Sequence, residues 1–331
     1  MKKFTKAYSE IITIANLLLA WEEFLAGKRK RNDVILFQGR LMDNIISLHH
    51  DLKNKTYRHN NYQAFNISDP KPRNIHKATV RDRLLHHLLY REIYQYFDKQ
   101  FIHDSYSCRM NKGAHKAVYR LAELINQVSK NNQRTVWALK CDIKKFFASI
   151  DHKILNNILS KYISDSNLLW LFNQVINSFA TPGQVGIGLP LGNLTSQLLV
   201  NVYMNEFDQF VKRELKVKYY IRYADDFVFL DENKDLLVSL RPKLEDFLAK
   251  HLKLTMHPKK VFLKTLASGV DFLGWVNFTD YRTLRTITKK RMFKKIKQNN
   301  TQVVRAAYMA MLKHGNSYKL SQRAGLDNQA S

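Results

Sequence analysis

Two runs of alternating β-branched and aromatic residues meet at a pair of acids in the segment Tyr219-Tyr220-Ile221-Arg222-Tyr223-Ala224-Asp225-Asp226-Phe227-Val228-Phe229-Leu230. The alternation is that of strands, and the short break between them predicts a hairpin with Ala224-Asp225-Asp226 at its tip. Adjacent carboxylates held between apolar strands repel one another and lose hydration, and a divalent cation offsets both costs. A solvated turn also tolerates Asp, so a partner carboxylate is needed to separate the two readings.

That partner stands upstream. The run Thr135-Val136-Trp137-Ala138-Leu139-Lys140-Cys141-Asp142 reads as another strand, with Asp142 at its carboxyl end. Mg²⁺ takes oxygen ligands in an octahedron and is commonly held by one or two carboxylates plus substrate phosphates. Two such ions about 4 Å apart activate a hydroxyl nucleophile and stabilise a leaving pyrophosphate. Asp142, Asp225 and Asp226 are therefore the candidate metal-binding and catalytic residues, and nucleotidyl transfer is the candidate reaction. Mg²⁺ is the expected cofactor as two ions, with Mn²⁺ as the alternative.

Tyr223-Ala224-Asp225-Asp226 resembles the YxDD box of reverse transcriptases. Asp142-Ile143-Lys144-Lys145-Phe146-Phe147 with Ser149-Ile150-Asp151-His152 is similar to the family's first catalytic segment. Gly188-Leu189-Pro190-Leu191-Gly192-Asn193-Leu194-Thr195-Ser196-Gln197 is similar to the segment before its nucleotide-pocket helix. Leu254 to Lys260 and Val270-Asp271-Phe272-Leu273-Gly274-Trp275 resemble the two blocks that follow the YxDD box. These blocks run in the family's order over roughly residues 66 to 320.

Within that family the pattern Leu191-Gly192-Asn193-Leu194-Thr195-Ser196-Gln197 departs from the Gln-Gly-x-x-x-Ser-Pro of group II intron relatives. It resembles the diversity-generating retroelement group, as do Asp69-Pro70-Lys71-Pro72-Arg73, Asp82-Arg83, His86-His87, Asp104 to Arg109 and Lys112 to His115. The marker segments of retron enzymes are not seen.

The resemblance implies roles residue by residue. Asp142 and Asp225 match the acids bridging both ions, and Asp226 the supporting third acid. Phe147 matches the ring under the sugar that disfavours a 2′-hydroxyl and so selects dNTPs. Lys71 and Arg73 match cations on the incoming triphosphate, as a point charge and a bidentate fork. Lys260, with Lys259 as the neighbouring alternative, matches a lysine that protonates pyrophosphate. Phe272, Leu273 and Gly274 match the primer grip. Leu191 and Gln197 replace the residues that flank the templating pair in accurate relatives, which implies tolerance of mispairing opposite template adenine.

Charge supports a polyanion partner independently. With 54 Lys and Arg against 28 Asp and Glu, the formal net charge is +26, an excess that favours phosphate through counterion release. No stretch reaches the ~20 apolar residues of a membrane span, and Glu10, Thr13 and Asn16 interrupt the apolar run after Met1-Lys2-Lys3, so an amphipathic first helix is expected rather than a signal peptide. Cys108 and Cys141 are the only cysteines, which suits a reducing compartment and a cytoplasmic protein, bacterial or phage-encoded. His86-His87 sits among leucines, where packing or a backbone-phosphate contact is expected.

The expected fold is α+β, a right-hand polymerase of fingers, palm and thumb. Residues 1–65 form a basic helical extension, with helices over 5–26 and about 33–53 around Lys28-Arg29-Lys30-Arg31 and an N-cap pair at Asn32-Asp33. Residues 66–134 are the fingers, with a helix through Leu84 to Phe97. Residues 135–280 are the palm, with a fingers insertion at about 153–189. There Asp151 caps a helix to about Ile163, a second covers Leu168 to Phe179, and a third spans Asn193 to Glu214 with one buried face that backs the palm sheet. With a helix over Leu236 to Leu252, the order strand, helix, hairpin, helix, strand matches a ferredoxin-like βαββαβ palm. Residues 281–331 form a basic helical thumb, whose Lys289, Lys290, Arg291, Lys294 and Lys295 interleave with apolar residues and face the nucleic-acid backbone.

The sequence thus points to an RNA-directed DNA polymerase that copies template RNA from a primer into cDNA using dNTPs. It is most like the error-prone enzyme of a diversity-generating retroelement, working with a small basic accessory protein. With no maturase-like or endonuclease extension in this sequence, integration is expected to rely on other factors. Two other readings stand beside it: an intron-like or phage-defence bacterial reverse transcriptase, and an RNA-binding scaffold without activity.

Overall fold

The computed structural model describes residues 3–68 and 72–326, and the chain folds into two compact units, each assembled from separate stretches of sequence. The first takes the chain up to His103, then Lys144–Leu215 and Asp246–Thr255. Its central helix, Val80–Asp98, starts where the Thr79 hydroxyl accepts from the Asp82 amide. It buries Leu84, Leu85, Leu88, Leu89, Ile93 and Phe97 almost completely. Each such side chain contributes roughly 1.5–3 kcal/mol on burial. Helices Ile14–Leu25 and Leu194–Gln209 pack against it.

The amino-terminal region is more broken than the periodicity predicts. Four helices, Tyr8–Ile11, Ile14–Leu25, Asn32–Gln38 and Leu41–Lys53, replace the two expected. Thr13 interrupts the first span because its hydroxyl caps the new helix, accepting from Asn16 N at 3.2 Å. Asn32 is already helical with Arg31 at the cap position. The Asp33 carboxylate instead pairs with Lys77 at 2.6 Å and Arg83 at 2.5 Å, so its charge ties this helix to the next elements rather than capping it.

Strands β1, Gln63–Ile67, and β2, Arg73–Lys77, form an antiparallel pair with Ile67 opposite Arg73. Helix His152–Tyr162 follows the expected cap, with Asp151 Oδ1 accepting from Ile154 N at 3.0 Å. Helix Ser166–Asn177 is capped in the same way by Asp165. The helix expected through Glu214 is α-helical only to Gln209 and continues as one π turn, Phe210–Glu214, where Leu215 N reaches back to Phe210 O.

The second unit comprises Asp104–Ile143, Lys216–Glu245 and the chain from Met256 onward. Its main sheet holds β3, Trp137–Asp142; β4, Tyr220–Tyr223; β5, Asp226–Asp231; and β6, Phe262–Thr265. The spatial order is β4-β5-β3-β6, with every neighbouring pair antiparallel. Along the chain the order strand, helix, hairpin, helix, strand is the one expected of a ferredoxin-like palm. One face of the sheet, through Ala138, Ile221, Val228 and Leu230, packs on helix Ala114–Ser129, whose Val118, Leu121 and Ile125 follow helical spacing.

A second sheet, β7 Val270–Phe272, β8 Trp275–Asn277 and β9 Arg282–Leu284, is antiparallel throughout. It leads into helices Thr286–Gln298, Gln302–Leu312 and Tyr318–Arg323, which join the same core through Met292 and Leu312. Among the described residues no helix is long and apolar enough to cross a membrane.

Candidate active site

The β4–β5 hairpin closes at Tyr223 opposite Asp226, leaving Ala224 and Asp225 as the connecting residues. Asp226 is thus the first residue of β5 rather than part of the tip. Ala224 has φ 55°, a left-handed conformation that a residue with a Cβ adopts at a cost. What holds it there lies inside the protein: the buried Arg222 guanidinium donates to Ala224 O at 3.0 Å and to Ser105 Oγ at 3.1 Å. The Arg222 backbone is fixed as well, donating to Asp104 O at 2.9 Å and accepting from Tyr106 N at 3.0 Å.

Strand β3 brings the third acid. In its antiparallel register with β5, Asp142 stands directly opposite Asp226, and Ile143 N donates to Asp225 O at 3.2 Å. Because side chains alternate along a strand, Asp142 shares its face with Lys140. Lys140 Nζ is 3.3 Å from Asp226 Oδ2, and Lys260 Nζ is 2.8 Å from Asp142 Oδ1. Lys260 is carried into place by the stretch after Met256, where His257 N donates to Asp142 O at 2.7 Å.

Burial pushes the Asp226 carboxyl up to about 7, with the charges of Asp142 and Asp225 adding to the rise and Lys140 opposing it. Its Oδ1 is buried without a hydrogen-bond partner. Crowded carboxylates with an orphaned oxygen are hard donors suited to a divalent cation. Among the described residues no three acidic, His or Cys side chains are grouped so as to hold a metal ion by themselves. An ion bound by these acids would take the rest of its shell from water and substrate phosphates. Cys141, between the two β3 residues of the site, is fully buried, and burial raises its thiol far above the ordinary value.

The expected nucleotide-pocket residues belong to the first unit. Phe147 lies in the 3₁₀ turn Phe146–Ser149, its ring edge-on to Phe146 and its carbonyl accepting from Leu189 N at 2.8 Å. Leu191 O accepts from His76 N at 3.0 Å, and Gly192, at φ 112°, leaves a space in which a Cβ would come within 2.9 Å of Ile75 Cγ2. This close approach ties the segment to β2. Gln197 is half-buried in the first turn of helix Leu194–Gln209. Arg73 is exposed at the start of β2, and Lys71 lies outside the described residues.

Behind this segment is a polar network around His86, where the sequence predicts packing or a backbone-phosphate contact. His86 Nδ1 is 2.8 Å from Thr195 Oγ1, and its Nε2 is 3.2 Å from His59 Nε2. Asp82 accepts from Tyr57 at 2.7 Å and from the Asn60 side chain at 3.0 Å. Burial is the largest influence on His59, His86 and His87 and lowers all three, with His86 brought down to about 3 and His87 to about 4.

In the second unit Phe272, Leu273 and Gly274 form the β7–β8 turn, with Phe272 fully buried and both turn residues at positive φ. Gly274 O accepts from Arg285 N at 3.0 Å, anchoring the start of helix Thr286–Gln298. That helix carries Lys289, Lys290, Arg291, Lys294 and Lys295, of which Lys290, Lys294 and Lys295 are exposed.

The family described as "Reverse transcriptase (RNA-dependent DNA polymerase)" matches residues 68–278. The chain belongs to the reverse transcriptase family. Protein YkfC of Escherichia coli is 24% identical over 247 residues, covering 62% of this chain and 63% of that protein. The group II intron-encoded protein LtrA of Lactococcus lactis is 22% identical, covering 87% of this chain and 58% of that protein. The chain thus spans about three fifths of the length of either relative. Among solved structures, apo telomerase from Candida tropicalis superposes with a TM-score of 0.52 at 13% identity, covering 74% of this chain and 60% of that one. Telomerase from Candida albicans gives 0.51 at 11%, covering 72% and 50%. At this identity the likeness establishes the fold, the right-hand polymerase architecture of reverse transcriptases.

Two site residues were absent from the sequence reading. Arg222 carries a readable signal, an arginine inside an otherwise apolar strand. Lys140 carries another, being two positions from Asp142 and hence on its face.

Proposed function

We propose that the chain is an RNA-directed DNA polymerase whose reaction is carried by Asp142, Asp225 and Asp226. The observation behind this reading is the register that sets Asp142 opposite Asp226 with Asp225 beside it at the hairpin turn. These acids would hold divalent metal, Mg²⁺ or Mn²⁺ and two ions by family analogy, which when bound activates the primer 3′-hydroxyl and neutralises the leaving pyrophosphate. Lys260, beside Asp142, would donate its proton to the pyrophosphate oxygen. Lys140 balances Asp226 and keeps the acids from forcing one another apart. Phe147 would exclude a 2′-hydroxyl, Arg73 and Lys71 would bind triphosphate, and the Phe272-Leu273-Gly274 turn and the basic face of Thr286–Gln298 would hold primer and template. Primer extension on an RNA template tests this: activity should require divalent metal and vanish in Asp225→Ala and Asp226→Ala. Extension surviving both substitutions would exclude the assignment.

The finer reading is a mutagenic polymerase of a diversity-generating retroelement, acting in the cytoplasm with a basic accessory protein. It is supported by Leu191 and Gln197, which depart from the group II pattern. Gln197→Pro with Leu191→Gln should reduce misincorporation opposite template adenine, and an unchanged error spectrum would refute it. The relationship to LtrA favours a second reading, a group II intron-like enzyme, which predicts accurate copying by the native chain.

A further inference from the structure

We infer that the carboxyl-terminal helices hold a pocket for an unpaired nucleotide of the RNA strand. A cavity of about 580 Å³ opens between β9 and helices Thr286–Gln298 and Tyr318–Arg323. Its lining includes two aromatic rings, Phe293 and Tyr318, and three cations, Lys289, Lys319 and Arg323, with no acidic side chain among the described residues. Tyr318 is 74% exposed, its hydroxyl accepting from Gln322 Nε2 at 3.0 Å, which steadies the ring along its helix. Ser317, only 6% exposed, also lines the cavity, and its Oγ is buried with no partner. A second cavity of about 530 Å³ shares Ser317 and Tyr318, so the tyrosine stands on the ridge between two recesses.

Cations without acids select an anion. Rings with a free face select a flat partner, and an orphaned hydroxyl needs a polar one. A nucleotide supplies all three at once, whereas a paired duplex hides its base faces. The pocket differs in this from the backbone contacts assigned to the basic face of the same helix, which are indifferent to bases. The assignment to RNA rests on the proposed reading, in which the template is the strand that extends unpaired beyond the duplex.

Fluorescence anisotropy with the full chain tests it, using a short unstructured RNA, the same strand with consecutive abasic sites, and an RNA–DNA duplex. Removing one stacked base contact weakens binding about 5- to 150-fold. The native chain should prefer the base-bearing strand by at least that lower bound. Tyr318→Ala should lose the preference while binding duplex normally, and Tyr318→Phe should keep it. Equal affinity of the native chain for both strands would overturn the pocket, as would a Tyr318→Ala defect of the same size on duplex. A mononucleotide or an acidic peptide competing as well as the strand would reassign the ligand and overturn it too. Asp225→Ala protein should bind like the native chain, so failure of the polymerase reading and failure of the pocket are read separately.

Discussion

Arg222, wholly inside the protein, donates to the carbonyl of Ala224, the left-handed residue of the acidic hairpin, at 3.0 Å. A charge that carries no reaction therefore shapes the turn that presents Asp225. Arg222→Met leaves Ala224 O and Ser105 Oγ without their donor. Loss of a charged hydrogen bond of this kind costs roughly 1.5–3 kcal/mol. Thermal melts should show that loss, and primer extension should fall even though all three acids remain. Ser105→Ala, which removes one acceptor and leaves the turn bonded, should be milder on both counts.

Lys260 is half exposed beside Asp142, so its pairing contributes little to stability, within about 1 kcal/mol. Its contribution should appear in the reaction. Lys260→Ala is expected to slow single-turnover incorporation by about 10²–10⁴-fold, the range for loss of a general acid, with an unchanged melting temperature. A variant that incorporates at the native rate would remove Lys260 from the mechanism.

The buried histidines should cost stability on mild acidification. His59, His86 and His87 all have depressed folded values, mainly through burial, against an unfolded value of about 6.5. Below that value the unfolded chain takes up protons that the folded chain refuses. The stabilisation is thus complete above about pH 6.5 and declines toward about 4 for His87 and about 3 for His86. His86 and His87 each approach about 1.4 kcal/mol per pH unit in that window. Asp82, whose folded value is lowered, adds a loss of the same sign once the pH falls into the carboxylate range. Asp226, raised to about 7 in the folded chain, takes up a proton on folding over the histidine window and opposes this loss, so the histidine effect is read by difference: between pH 7.5 and 5 the native chain should lose more stability in denaturant melts than His86→Gln with His87→Gln.

Gly315 faces the edge of Trp275 so closely that a Cβ would overlap the ring. Trp275 is buried and joins the core that seats the last helices. Gly315→Ala should destabilise the chain by about 1–3 kcal/mol, the usual cost of overpacking. Tryptophan emission should shift along with the melting temperature, and an unshifted melt would show that the ring can move aside at no cost.

Much of the local structure was legible from residue pattern. The alternation around Asp225-Asp226 gave the hairpin, the Asp151 cap gave its helix, and the order of elements gave the main sheet. The helix Ala114–Ser129 was equally readable, since Ala117, Leu121, Leu124 and Val128 recur at helical spacing. The amino-terminal helices were predicted too long because Thr13 fits a helical apolar run as well as it fits a cap. Only the hydrogen bond to Asn16 distinguishes the two.

By itself the sequence determined which residues can form strands, which acids end or join them, and the excess positive charge. These depend on side-chain type and spacing along one chain. Tertiary structure alone decided that Asp142 faces Asp226, that Lys140 and Lys260 are their counter-ions, that Arg222 supports Ala224 from within, and that His86 meets Thr195. All but one of these join segments distant in sequence; Arg222 and Ala224 are two residues apart, and there it is burial of the guanidinium that decides. Strand register and burial set the distances, and the strength of a charge or hydrogen bond follows distance in space.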